Sequence, residues 1–251
     1  MTVFTARPTS RRIVVLDAPS NLGLMPPSPG REPGVRVLPD AVRNYDLISR
    51  IGASDAGRVV SPPYDPVIDS RSGVRNSDSI ASYAYLLARR VNGPAVLSNL
   101  EKMRPLIREA DVAVLGYRDD IAGYGPLSND KTRPNMLWLP LSEVRTKGAR
   151  RAASTVLSQF SLSPVEGFWI HLDADVLDDK VMPAVDSRQS GGMTYSEPGD
   201  VLSELIQASS AIGMEITILD PDLDQNGSVI ERFVTFIVSV FDVKVSKIKR
   251  R

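Results

Sequence analysis

Cysteine is absent from this 251-residue chain, and histidine occurs once, as His171. The missing cysteines exclude disulfides, thiolate metal sites and cysteine nucleophiles, and they suit a reducing compartment. Net charge is missing too. Thirty Lys and Arg against thirty Asp and Glu leave no overall basic field for nucleic acid or anionic lipid. The one basic cluster, Lys244, Lys247, Lys249, Arg250 and Arg251, reads as a solvated tail. Long apolar runs are lacking. The longest, Phe233 to Phe241, is interrupted by Thr235 and Ser239 and is too short to span a bilayer. The first residues carry no apolar stretch of the secretory kind. The expectation is a cytoplasmic protein without membrane or nucleic-acid partners. A P-loop and a GxSxG elbow are absent, and Gly123-Tyr124-Gly125 is not a dinucleotide fingerprint.

What is present suits one α/β domain over 1–251: 42% hydrophobic and 24% charged residues, without internal repeats or a composition break. Strands are expected at Arg12–Asp17, Arg58–Ser61, Asp111–Tyr117, Met136–Leu139, Phe168–Asp173 and Met214–Leu219. Helices are expected at Pro39–Ile51, Ser77–Val91, Thr146–Phe160, Ser196–Ala211 with Ser196 as N-cap, and Ser228 to about Val243. Strands alternating with helices predict a mostly parallel sheet covered on both faces, a three-layer αβα sandwich.

The chemistry concentrates in Phe168–Glu197, FWIHLDADVLDDKVMPAVDSRQSGGMTYSE. An apolar run ends in Asp173, Asp175, Asp178 and Asp179. Alternation along a strand puts Asp173 and Asp175 on one face. Two carboxylates there repel unless something positive sits between them, and a hard divalent cation is the usual answer. Ser190-Gly191-Gly192 lets the loop return toward the carboxylates. His171 shares their strand parity. It is a metal ligand, a partner of one, or a packed histidine with a satisfied hydrogen bond. Asp222, Asp224, Asn226 and Gly227 imitate half of a calcium loop, but Phe233 stands where its last ligand belongs, so they read as a solvated turn. DxD also occurs in metal-dependent glycosyltransferases, but no nucleotide-sugar pocket accompanies it here.

HLDADVLDD followed by MPAVDSRQSGGMTYSE resembles the signature of the ureohydrolase family: arginases, agmatinases and formiminoglutamases. VAVLGYRDD, WLPLSEVRTKG, GMEITILDPDLDQNGS and VVLDAPSNLG extend the resemblance over most of the chain. The resemblance implies two Mn²⁺ ions activating water against the C–N bond of a linear guanidino or formimino substrate. It implies Asp173 and Asp175 as metal ligands, Asp178 as their support and His171 as a neighbour. It also implies assembly into a homo-oligomer. Two family segments, Gly-Gly-Asp-His/Cys-Ser and Asp-x-His-x-Asp, do not occur here. The gap falls near Val91–Asn92 and reads as an internal deletion of central elements. Two carboxylates offer at most four oxygens, fewer than two octahedral cations need. The expectation is therefore an impaired or inactive hydrolase. Its competitor is a non-catalytic remnant that serves as a structural or partner-binding protein. The position that holds a guanidinium in classical members is Ile218 here.

Overall fold

The computed structural model describes residues 12–92, 108–118 and 136–248. Strand β1 (Val14–Asp17) pairs in parallel with β2 (Ser54–Arg58). Helices α1 (Leu38–Arg43) and α2 (Leu47–Arg50) lie between them in sequence, and α3 (Ser77–Asn92) follows. Strand β3 (Ala113–Leu115) pairs in parallel with β4 (Leu137–Leu139). Helices α4 (Leu141–Lys147) and α5 (Ala149–Ser161) come next. Strand β5 (Phe168–Asp173) pairs in parallel with β6 (Ala211–Thr217), with α6 (Ser196–Gln207) between them and α7 (Ser228–Ile248) last. Parallel strands with connecting helices form the expected layered α/β architecture.

The core gathers around β5. Phe168, Ile170 and Leu172 point inward, while Trp169 and His171 point outward, as alternation requires. Against the inward face lie Ala152, Ala153 and Val156 of α5 and Val201, Leu202, Leu205 and Ile206 of α6. Val229, Ile230, Phe233, Val234, Ile237 and Val240 of α7 complete it, at helical spacing. A fully buried side chain of this kind contributes about 1.5–3 kcal/mol. The outer face of β5 is open: Trp169 is 48% exposed. Parallel strands are ordinarily covered on both faces.

Among the described residues the strands form three separate parallel pairs, not one continuous sheet. The pairs are tied together by loops and helices. Asp220, after β6, accepts a hydrogen bond from Gly34 N at 3.0 Å, and the Tyr45 hydroxyl donates to Gly227 O at 2.8 Å.

Several elements differ from their sequence expectation, for local reasons. The helix expected over Pro39–Ile51 is broken: Asp46 takes a left-handed φ of 57°, and Tyr45 turns toward the start of α7. The second strand is Ser54–Arg58, earlier than Arg58–Ser61. Its polar sequence suits an exposed edge, and Arg58 ends it by reaching back to Asp17 at 3.1 Å. Thr146–Phe160 is two helices, parted where Gly148 takes φ 86°, and the LSEV segment is the first of them. Ser196 does not cap α6. Glu197 instead reaches back to Thr194 N at 2.8 Å, the return arm of a capping box. That helix ends at Gln207, so β6 begins at Ala211, before the expected Met214. The far side of the 91–92 junction, Gly123–Gly125 and the last three basic residues lie outside the described residues.

Candidate metal centre

In open parallel α/β folds, sites assemble beyond the carboxyl ends of the strands. Here β5 ends in Asp173, β6 in Thr217, and β3 leads through Gly116 and Tyr117 to Arg118. Asp173 and Thr217 are register partners. The chain then tightens into a single 3₁₀ turn, Ala174–Val176, with Asp173 as its cap: an Asp173 carboxylate oxygen accepts from Asp175 N at 3.2 Å. This turn brings the two aspartates together. Burial pushes the Asp175 carboxyl up to about 6, and the neighbouring Asp173 carboxylate pushes in the same direction. The Arg118 guanidinium pulls the other way, by less than burial and Asp173 push.

Asp178 has a different job. Its carboxylate accepts from Lys180 N at 3.0 Å and from Gly191 N at 2.7 Å, and these backbone donors hold it below the usual carboxylate range. Gly191 takes φ 81°, a conformation glycine reaches freely, and so its N–H can face Asp178. Two further bonds, Met193 N to Val176 O and Asp178 N to Met193 O, both at 2.9 Å, close the returning loop onto the acidic turn. The expected return of the Gly-Gly segment is present.

His171 points outward, two residues before Asp173. Its Nδ1 lies 2.8 Å from Glu215 Oε1 and its Nε2 3.3 Å from the Thr217 hydroxyl. The hydrogen bond to Glu215 raises the imidazole above its ordinary value. The ring is satisfied, as one of the sequence readings had it, but it sits on an open face and is not packed. Asp222, Asp224 and Asn226 do not converge on a cation. Asp224 accepts from Ile230 N at 2.8 Å and Asn226 from Ser228 N at 3.1 Å, which caps α7.

Sequence reasoning passed over two arginines. Arg118 Nη2 donates to the carbonyls of Asp175, Val176 and Leu177 at 2.7, 3.1 and 3.0 Å. Arg145, on α4, donates to Gly192 O at 2.9 Å and to Glu197 at 2.7 Å. The signal was there for Arg118, inside VAVLGYRDD, but nothing local in the sequence says which carbonyls it meets.

As a donor set, the turn suits one cation better than two. Asp173 and Asp175 are the adjacent carboxylates it offers. Among the described residues, no group of three or more His, Cys, Asp or Glu side chains converges as a metal site.

Residues 84–241 match the arginase family. The chain belongs to that family. The arginase of Staphylococcus aureus strain MRSA252 is 26% identical over 149 residues, which is 59% of this chain and 48% of that protein. The chain thus spans about half the length of the curated arginases it matches. Among solved structures, the arginase of Bacillus caldovelox superposes with a TM-score of 0.71 at 17% identity, covering 92% of this chain and 98% of that one. The formimidoylglutamase of Bacillus subtilis gives 0.62 at 16% identity, with 94% and 88% covered. The fold is the arginase-type α/β fold. The arginase-family signature read in the sequence is the acidic turn just described.

Proposed function

We propose that this chain keeps one half of an arginase-family metal site. Asp173 and Asp175 hold a single Mn²⁺ and Asp178 braces their loop. The reaction class is hydrolysis of a C–N bond in a linear amidine or guanidine, impaired in this chain. The observation that carries the reading is the cramped Asp173–Asp175 pair at the end of β5, where burial opposes a second bare negative charge. Bound Mn²⁺ would lower the pKa of water and polarise a planar carbon substrate. The protein's own part is to pre-form the turn, keep the two carboxylates side by side and present them at the strand ends. The reading extends to a cytoplasmic homo-oligomer acting on small guanidino or formimino compounds. Ile218, lacking a carboxylate, argues against strong selection for a guanidinium.

A second reading has its own support. The absence of a third converging ligand among the described residues favours a remnant that packs or binds partners without turnover. Release of urea or ammonia from a panel of guanidino and formimino compounds with Mn²⁺ separates the two. Turnover that vanishes in Asp173→Ala supports the impaired hydrolase. A blank across the panel, with the metal bound, supports the remnant.

A further inference from the structure

The acidic turn leaves β5 at Asp173 and runs straight into a loop, with only the bridge between Leu177 and Met193 beyond it. Three consecutive carbonyls, those of Asp175, Val176 and Leu177, point to one side, and backbone acceptors gathered in this way need donors. Met193 N donates to Val176 O, and Arg118 donates to all three. One nitrogen, Nη2, serves all three, while Nη1 donates to Gln189 Oε1 at 3.0 Å on the returning arm of the loop. The guanidinium therefore ties the outgoing and returning strands of the loop to the end of β3. Gly192 is part of the same fit. A Cβ there would lie 2.2 Å from Arg118 Nη2 and 2.5 Å from Asp178 N, so the second glycine of the Gly-Gly pair is the space the arginine occupies. Gly116, before Arg118, is fitted too: a Cβ on it would come within 2.5 Å of the Met193 methyl.

We infer that Arg118 is the positioning residue of this site: by gripping the carbonyls of 175–177 it fixes the direction of the Asp175 carboxylate and the closure of the loop that Asp178 braces. A planar fork with several fixed donors suits this task, which a single point charge performs less well. The inference rests on the proposed reading of Asp175 as a Mn²⁺ ligand. Its structural half can be tested without metal.

The test uses the full chain and two variants, Arg118→Met and Arg118→Lys. In metal-free protein, amide hydrogen exchange is read at Asp178 and Met193, whose bonds close the loop. Phe168, which donates to Ser210 O at 2.8 Å at the far end of β5, is the internal control. Arg118→Met should speed exchange at Asp178 and Met193 about tenfold or more while Phe168 is unchanged, and Arg118→Lys should fall between it and the parent. Should Arg118→Met fail to fold, the lysine variant decides on the same criterion. Unchanged loop exchange, or a rise equal to that at Phe168, would overturn the inference. With Mn²⁺, the methionine variant should weaken binding about 10- to 100-fold, the scale for residues that orient ligands. Mn²⁺ affinity equal to the parent's would overturn the positioning role. If the parent binds no Mn²⁺, the metal reading fails by itself, and the exchange data still decide what Arg118 does.

Discussion

His171 and Glu215 face each other across β5 and β6 with 2.8 Å between Nδ1 and Oε1, on the open side of the strands and just below Asp173. The chain's sole histidine makes this pair measurable without assignment. In metal-free protein, the imidazole resonance should titrate above 6.5, and Glu215→Gln should bring it down toward that value. The stability that goes with the raised value is fully present below the unfolded pKa and is lost as pH rises through the folded one. A midpoint that ignores Glu215→Gln would show that the contact does not persist in solution.

Asp175 is shifted in the same direction for a different reason, burial of its carboxyl. Its folded value, about 6, stands above the ordinary 3.8, so the native state binds the proton more tightly than the unfolded chain. Without metal, stability should be greatest below pH 4 as far as this group is concerned, and fall as pH rises through the window to about 6. Discounted for the carboxyl's partial exposure, the change is about 1–2 kcal/mol. Asp175→Asn should flatten that slope and raise the neutral-pH melting temperature. Chemical denaturation at several pH values in chelator checks it, and a slope unchanged by the substitution would contradict it.

Arg43 and Arg58 both reach Asp17, a buried carboxylate at the end of β1, at 2.9 and 3.1 Å. Arg43→Met leaves only one partner for a charge out of contact with water, and should cost about 2–3 kcal/mol, somewhat less than complete loss of a buried pair. Asp17→Asn combined with Arg43→Met should recover part of the loss. Equal melting temperatures for the parent and Arg43→Met would show that Arg58 alone suffices.

Among the described residues, three parallel pairs leave more strand edges than a single sheet would. Unpaired edges recruit other chains, and a two-stranded unit is marginal by itself. The protein should melt at low temperature or associate at micromolar concentration, as sedimentation and calorimetry would show. A monomer with one sharp transition at high temperature would be the opposite result.

The site's backbone was legible because it is local. Phe168–Asp173 is a strand from end to end as read, since alternation and its acidic stop are written in consecutive residues. The Gly191-Gly192 return was legible for the same reason. The β2 strand was not. Its residues are polar, and only the register with Val14 and Val15 makes them a strand. Arg118 was not legible either, because its three acceptors lie more than fifty positions further along the chain. Ile218 is a different kind of miss. With φ 68° and Leu219 N bonded to Thr217 O at 2.9 Å, it sits in a strained γ-turn that no propensity scale would give a β-branched residue.

Mn²⁺ titration of the intact chain, followed by calorimetry with electron paramagnetic resonance as a second readout, tests the central claim most directly. The account predicts one Mn²⁺ per chain, lost in Asp173→Ala and in Asp175→Ala. Two tightly held ions per chain, or metal binding indifferent to both substitutions, would contradict it.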